Sequence, residues 1–211
     1  MNSVEVGIIG DGGQSREVRE YLRESNIEPS FLAVDREYVD GTPGRIDILS
    51  PSDYQELTPV VAAIGAPEIR RKMVEEWRGG EFFTVISNQS YVGDTVRIGE
   101  GSIISPRAVL TASIEVGRHV IVNVGATVSH DSEIGDYATI GPGAHIAGGV
   151  KLGRGVFIGI GASVNNGVEI ADGCVVGAGA VVISDILEPN SVVVGTPARL
   201  LRINEGWLSE V

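Results

Sequence analysis

From Val92 onward every sixth residue is Val, Ile or Leu: Val92, Ile98, Ile104, Leu110, Val116, Val122, Val128, Ile134, Ile140, Ile146, Leu152, Ile158, Val164, Ile170, Val176 and Val182. A helix of period 3.6 cannot hold every sixth residue on one face, and strand alternation does not single out one aliphatic in six. A coil with three flat sides does both. Each hexad supplies one side with its aliphatic pointing inward, so three hexads make one coil of eighteen residues, and successive coils stack at about 4.8 Å. Small residues recur four places after the aliphatic, as at Ser102, Ala108, Ala126, Ala138, Ala144, Ala162, Cys174 and Ala180. Glycine often follows the aliphatic directly, as at Gly93, Gly99, Gly117, Gly135, Gly141, Gly153, Gly159 and Gly177, where it is expected to help the chain turn the corner. The phase never slips, so no large loop is expected to leave the prism.

The first part of the chain has a different rhythm. A strand over Val4 to Ile9 runs into Gly10-Asp11-Gly12-Gly13, followed by a helix over Arg16 to Arg23. Further strands are expected at Phe31 to Val34, Pro59 to Ile64 and Phe82 to Ile86, with helices around Pro51 to Leu57 and Pro67 to Trp77. Strands and helices alternating at this length predict a small parallel α/β sheet, Rossmann-like in its glycine turn. The expected divisions are a small Rossmann-like α/β domain over 1–86, the three-sided prism over 87–187 and a capping tail over 188–211. In that tail Leu200, Leu201, Ile203, Trp207 and Leu208 are the expected cover for the open end of the prism.

A net charge of -12 and a pI near 4.6 argue against a nucleic-acid partner, since the phosphate backbone would be repelled, and none is expected. Any anionic substrate must be met by local basic groups or backbone N–H groups. No basic leader opens the sequence, and no apolar run approaches the roughly 18 residues of a membrane span. A cytoplasmic protein without membrane contact is expected. Cys174, the single cysteine, sits among small apolar residues and reads as a buried structural thiol.

The run Asn123-Val-Gly-Ala-Thr-Val-Ser-His130-Asp131-Ser-Glu-Ile-Gly-Asp, followed by Gly141-Pro-Gly-Ala-His-Ile-Ala-Gly148-Gly149-Val, resembles the bacterial sugar acetyltransferases of the sialic acid O-acetyltransferase and nucleotide-aminosugar N-acetyltransferase group. These belong to the hexapeptide-repeat acyltransferases, whose fold is a left-handed parallel β-helix and whose assembly is a homotrimer. Gly195-Thr-Pro197-Ala198-Arg199 is similar to the Gly-x-Pro-Ala-basic signature that closes the repeat in many of them near the coenzyme A site. The resemblance implies acetyl-CoA as co-substrate, His130 as general base beside Asp131, and coenzyme contacts at Gly148 and Arg199. It further implies that the N-terminal domain holds the nucleotide of a sugar substrate at Gly10, Gly12, Gly13, Asp35 and Gly65. Gln14 stands where many of those enzymes have His.

The chemistry of these residues points the same way. Imidazole takes a proton near neutral pH, and an adjacent carboxylate orients it and stabilises its protonated form. Gly148 follows His130 by one full coil, so the two should be stacked, and the Gly148 N–H is placed to face a developing oxyanion. His119 and His145 fall at other hexad positions and are expected at the surface. Their spacing gives no close pair for zinc, so no metal is expected. Gly10 to Gly13 follow a strand and open a helix, as a phosphate-binding turn requires, and Asp35 ends the second strand where a ribose acid would stand. However, Asp11 brings negative charge to that turn and Ser15 replaces the third glycine, which disfavours dinucleotide redox chemistry. Lys151, Arg154 and Arg202 read as a solvated face.

The expected reaction is acetyl transfer from acetyl-CoA to an amino group on a nucleotide-linked 4-amino-deoxysugar by direct attack. The acceptor is expected between the N-terminal domain and the prism, with the coenzyme between neighbouring prisms. O-acetylation of a sialic acid or related sugar uses the same residues and stays open, as does a non-catalytic nucleotide-sugar-binding trimer.

Overall fold

The structure is a computed structural model describing residues 5–205, so Val4, Trp207 and Leu208 lie outside the described residues. Its first part contains β1 (Gly7–Ile9), α1 (Gly13–Glu24), β2 (Phe31–Val34), β3 (Arg45–Asp47), α2 (Asp53–Leu57), β4 (Val60–Ala62) and α3 (Pro67–Glu76). The strands form one parallel sheet in the order β3-β2-β1-β4. On one face α1 contributes Val18, Tyr21 and Leu22 against Val6, Ile8, Val61 and Ala63. On the other, Met73, Val74 and Trp77 meet Ile9, Phe31, Ala33, Ile48, Val60 and Ala62. Both faces are covered, which explains why β1 and β4 read as unbroken apolar runs. The short β3 was not expected, because Ile46 alone of its three residues is apolar.

The last strand assigned to this sheet belongs elsewhere. Phe82 makes a single parallel bridge to Val60, whereas Val85–Ile86 pair with Ile103–Ile104. Ile86 lies six residues before Val92 and is in phase with the hexads, so the prism begins one side earlier than the run from Val92 indicates.

The second part is the left-handed parallel β-helix. From Val85 to Val164 its two-residue strands pair in parallel with the strand eighteen residues on, as Thr127 with His145 and His145 with Ser163. Three walls result, of five, six and eight strands, the eight including two from the C-terminal tail. The interior is a single column of aliphatics and small residues running from Ile104 to Val193. The residues entering the six-stranded wall, Ala108, Ala126, Ala144, Ala162 and Ala180, are all fully buried beside an aliphatic. A larger side chain there would overpack a close-packed interior. Cys174 is buried in the same column.

The corners are not turned by the glycines directly after the aliphatics, as expected; those have ordinary φ. The left-handed conformation falls two residues later, at every sixth residue from Gly101 to Gly179, with Arg107, Ser113, His119, Asp131 and Tyr137 adopting it without being glycine. The earlier glycines answer a different constraint. A Cβ on Gly99 would stand 2.5 Å from the Gly117 carbonyl oxygen, so the stacked coils leave no room for one.

In the tail, Ser191–Val194 extend the eight-stranded wall beyond Val175–Val176, and Arg199–Ile203 pair with them antiparallel. Ile186, Val193 and Ala198 pack on the end of the core. Leu200, Leu201 and Ile203, the expected cover, face solvent instead. The antiparallel hairpin lies along the wall and turns them away from the prism's mouth.

His119 also departs from expectation: it is fully buried where the two parts meet. Its ring stacks on Tyr137 with centroids 5.1 Å apart and meets the edge of Phe82 at 4.5 Å. Neither ring nitrogen has a hydrogen-bond partner among the described residues. Burial, reinforced by the charges of Arg118 and Arg70, lowers its pKa to about 4. The unfolded chain protonates this residue near 6.5, so the folded state should lose stability as pH falls from about 6.5 to 4, by up to about 1.4 kcal/mol per unit, and gain nothing from it above that window. Chemical denaturation of wild type and His119→Phe across pH 4 to 8 checks this. The variant should show the shallower slope below 6.5, and parallel curves would contradict the assignment.

Candidate active site

The corner that follows Thr127–Val128 carries His130 and Asp131. Asp131 takes the left-handed conformation at φ +59. Its Oδ2 lies 2.8 Å from His130 Nδ1. If Nδ1 carries the proton and donates to this carboxylate, Nε2 holds the free lone pair, which is the tautomer a base requires. The loop is held from the next coil: the Gly149 N–H donates to the His130 carbonyl at 2.8 Å, and the buried Ser132 hydroxyl donates to Ala147 O at 3.2 Å. Both side chains are open to solvent, at 62% and 68% exposure, and so within reach of a ligand.

Gly148 forms the floor beneath the imidazole. A Cβ there would sit 2.6 Å from His130 Cε1 and 2.8 Å from Nε2, so only glycine allows the ring to lie where it does. The Gly148 N–H has no acceptor among the described residues. The two expected neighbours are therefore stacked in fact. The three edges of the prism differ in chemistry. One is a ladder of Glu100, Arg118, Asp136, Arg154 and Asp172, in which Arg118 pairs with Glu100 and Arg154 with Asp172. Another is apolar, with Pro106, Val124, Pro142, Ile160 and Ala178. The third stacks Asp94, Ala112, His130, Gly148, Asn166 and Ser184, so the residues directly above and below His130 in the stack are small and uncharged.

A second site lies at the C-terminal ends of the parallel strands, where open α/β sheets bind ligands. It is a cleft of about 510 Å³, and Gly10, Gly12, Gly13, Asp35 and Gly65 all line it. Gly10 needs to be glycine, with φ +104 and Ile64 and Ser15 close by. Gly12 and Gly13 begin α1 with no side chain between backbone and cleft, leaving the helix N-terminus open to an anion. Ser15 turns away and donates to Ala63 O at 3.1 Å, tying α1 to β4.

Sequence reasoning missed Arg45, which also lines the cleft. It contacts Asp11 and, at 2.8 Å, Asp40, so the charge of Asp11 that argued against phosphate is countered locally. Hydrogen bonding from the Thr42 side chain and then from its backbone holds the Asp40 carboxyl down at about 2, with the charge of Arg45 adding less. The signal was hidden because Arg45 lies thirty-four residues from Asp11 on an unrecognised strand. Every residue lining this cleft falls between Gly10 and Met73, so it is a feature of the N-terminal sheet and not of the seam with the prism, where the acceptor was expected.

His145 is exposed on the six-stranded wall, with Nδ1 3.0 Å from Thr127 Oγ1, as its hexad position suggested. Lys151 pairs with Glu133 at 3.2 Å and Arg202 donates to Asn204. Arg199 is exposed, and its side chain donates to the neighbouring Ala198 carbonyl. Its loop stacks on Val181, because Ala198 N–H donates to Val181 O at 2.8 Å. That level is four coils beyond Thr127, roughly 19 Å along the axis at about 4.8 Å per coil.

The family described as bacterial transferase hexapeptide (six repeats) matches residues 149–184. A search of curated proteins gives no match. Among solved structures, the chain is similar to PerB from Caulobacter crescentus, crystallised with CoA and GDP-perosamine. The two are 31% identical, with a TM-score of 0.83 over 95% of this chain and 98% of that one. This chain belongs to the hexapeptide-repeat sugar acetyltransferases. The acetyltransferase domain of PglB from Neisseria gonorrhoeae FA1090, in complex with acetyl coenzyme A, is 30% identical at TM-score 0.81, covering 95% of this chain and 100% of that one. WeeI from Acinetobacter baumannii AYE is 30% identical at TM-score 0.79, covering 93% and 99%. As a member of this family the protein is an acetyl-CoA-dependent acetyltransferase.

Gly148→Ala should leave the prism folded, because the atoms its Cβ would meet belong to the exposed His130 side chain and not to backbone, while forcing the His130 ring off its floor. A crystal structure of the variant should show the imidazole rotated and its bond to Asp131 broken. An unmoved ring would contradict the account of Gly148.

Proposed function

We propose that the protein transfers the acetyl group of acetyl-CoA to an amino group of a nucleotide-linked 4-amino-deoxysugar. The observation that carries this reading is the pairing of His130 with Asp131 above Gly148 in a chain that also holds an open helix N-terminus in a separate cleft. The first arrangement suits proton removal beside a forming oxyanion; the second suits a nucleotide diphosphate. The likeness to PerB, crystallised with a GDP-linked sugar, supports the acceptor class and favours N-acetylation over O-acetylation.

In this mechanism the neutral amine attacks the thioester carbonyl while His130 Nε2 takes the proton from nitrogen. Asp131 stabilises the resulting imidazolium. The Gly148 N–H donates to the tetrahedral oxyanion, a contact of the kind whose removal typically costs about 3 kcal/mol. Collapse breaks the C–S bond, and His130 returns the proton to the departing thiolate. No acyl-enzyme forms. Gly10, Gly12, Gly13 and Gly65 bring backbone to the nucleotide, Asp35 meets the ribose, and Arg45 supplies a cation for the diphosphate once Asp11 shares it. Coenzyme A runs along the prism from His130 toward Arg199, between neighbouring prisms of a homotrimer.

Release of free thiol from acetyl-CoA, measured against a panel of nucleotide-linked amino-sugars and unlinked sialic acids, tests the assignment. Turnover should occur on a nucleotide-linked amine and fall about 10² to 10⁴-fold in His130→Ala. Activity confined to sialic acids would move the reaction to O-acetylation, and an unimpaired variant would remove His130 from the mechanism. Arg45→Ala should raise KM for the nucleotide sugar and leave KM for acetyl-CoA unchanged. Equal effects on both would contradict its place in the cleft.

A further inference from the structure

Arg70, in α3, is fully buried, and among the described residues no carboxylate pairs with it. Its guanidinium instead reaches neutral oxygens on both parts of the molecule. From the N-terminal part it takes the carbonyls of Ile64 and Gly65, the latter at 3.1 Å. From the prism it takes His119 O at 2.9 Å, Ala138 O at 3.1 Å, Thr139 Oγ1 at 3.0 Å and the Tyr137 carbonyl. Thr139 closes the circuit by donating its own hydroxyl hydrogen to Gly65 O at 2.9 Å.

Burying a cation without a counter-ion is costly, and an apolar residue of similar volume often serves stability as well or better. What the guanidinium adds is geometry: five donors fixed in one plane, holding carbonyls from both parts of the molecule in a single arrangement. Gly65 is the link to chemistry, since it lines the cleft while its carbonyl is held by Arg70 and Thr139. Burial lowers the Arg70 pKa to about 9, which leaves it charged at neutral pH.

We propose that Arg70 is a positioning residue that fixes the nucleotide cleft relative to the prism, so that an acceptor anchored by its nucleotide presents its amine at the height of a His130 corner. This rests on the functional reading above. It holds whether the His130 that meets the amine belongs to the same protomer or to a neighbour, because an assembly of prisms carries every cleft at the same fixed offset. Misplacing reacting groups by about 1 Å can cost 10²-fold in rate.

The test compares wild type with Arg70→Lys, which keeps the charge but cannot reach all six acceptors, and with Thr139→Val, a milder change should the first variant fold poorly. Arg70→Lys should lose about 10²-fold in kcat/KM for the nucleotide-linked amine, with Thr139→Val falling in the same direction by less. KM for acetyl-CoA and calorimetric affinity for a free nucleoside diphosphate should stay at wild-type values. Hydrogen exchange should rise together at 63–66 and 137–140 and stay unchanged in the distal coils. Unaltered kcat/KM in both variants, with wild type active, would overturn the positioning role alone. Loss of nucleoside diphosphate affinity matching the loss in kcat/KM would also overturn it, by making Arg70 part of the cleft. Wild type inactive on every nucleotide-linked amine would overturn the functional reading and this proposal with it.

Discussion

Everything in this molecule depends on one packing constraint: each coil of the prism must lie flat on the last at strand spacing, with no offset, for the whole length of the domain. That constraint demands an aliphatic pointing inward at every sixth position and a left-handed residue at each corner from Gly101 to Gly179. It also removes side chains wherever backbone meets backbone between coils, as at Gly99. The corner that carries His130 is a consequence of the same rule. Because register is fixed at eighteen residues, His130 and Gly148 are neighbours by construction, and the glycine beneath the ring is a steric requirement before it is a chemical one. A rigid scaffold supplies preorganisation without a dedicated supporting shell, which is what transition-state stabilisation by a backbone donor requires.

The N-terminal part adds what a prism lacks. A β-helix has flat walls and narrow edges, whereas a parallel sheet with a glycine turn offers a recess at the end of its strands and an open helix N-terminus. The two are joined on an apolar seam where α1 packs against Ile103 and Ile121 of the eight-stranded wall. Glu24 reinforces the seam by accepting hydrogen bonds from Ser87 at 2.7 Å and Gln89 at 2.8 Å. Buried Arg70 and His119 lie at its other margin. The association is thus a shared core with polar fastenings, and the cleft of the N-terminal sheet stands at a set distance from the prism.

Most of the prism was legible because its period belongs to the chain itself. The sixteen aliphatics, the stacking of His130 on Gly148 and the glycine turn at Gly10 all follow from spacing. What escaped depended on contacts distant in sequence. His119 reads like any corner residue, and its burial is decided by Phe82 and Tyr137 closing around it. Arg45 meets Asp11 only through β3, whose three residues give no periodic signal. Arg70 lies on a helix rich in charged residues, where a solvated face is the natural expectation. One readable sign was passed over: Ile103-Ile104 and Ile121-Val122, eighteen residues apart, place apolar side chains on both sides of the wall, which marks the surface on which α1 docks.

A crystal structure with coenzyme A and a nucleoside diphosphate bound together addresses the central claim, that one rigid frame holds two separate binding sites in fixed relation. The account predicts the diphosphate over the turn from Gly10 to Gly13 and the coenzyme sulfur beside His130 and the Gly148 N–H, with the seam between the two parts unchanged. A sulfur bound away from that corner, or a nucleotide bound outside the cleft, would contradict it.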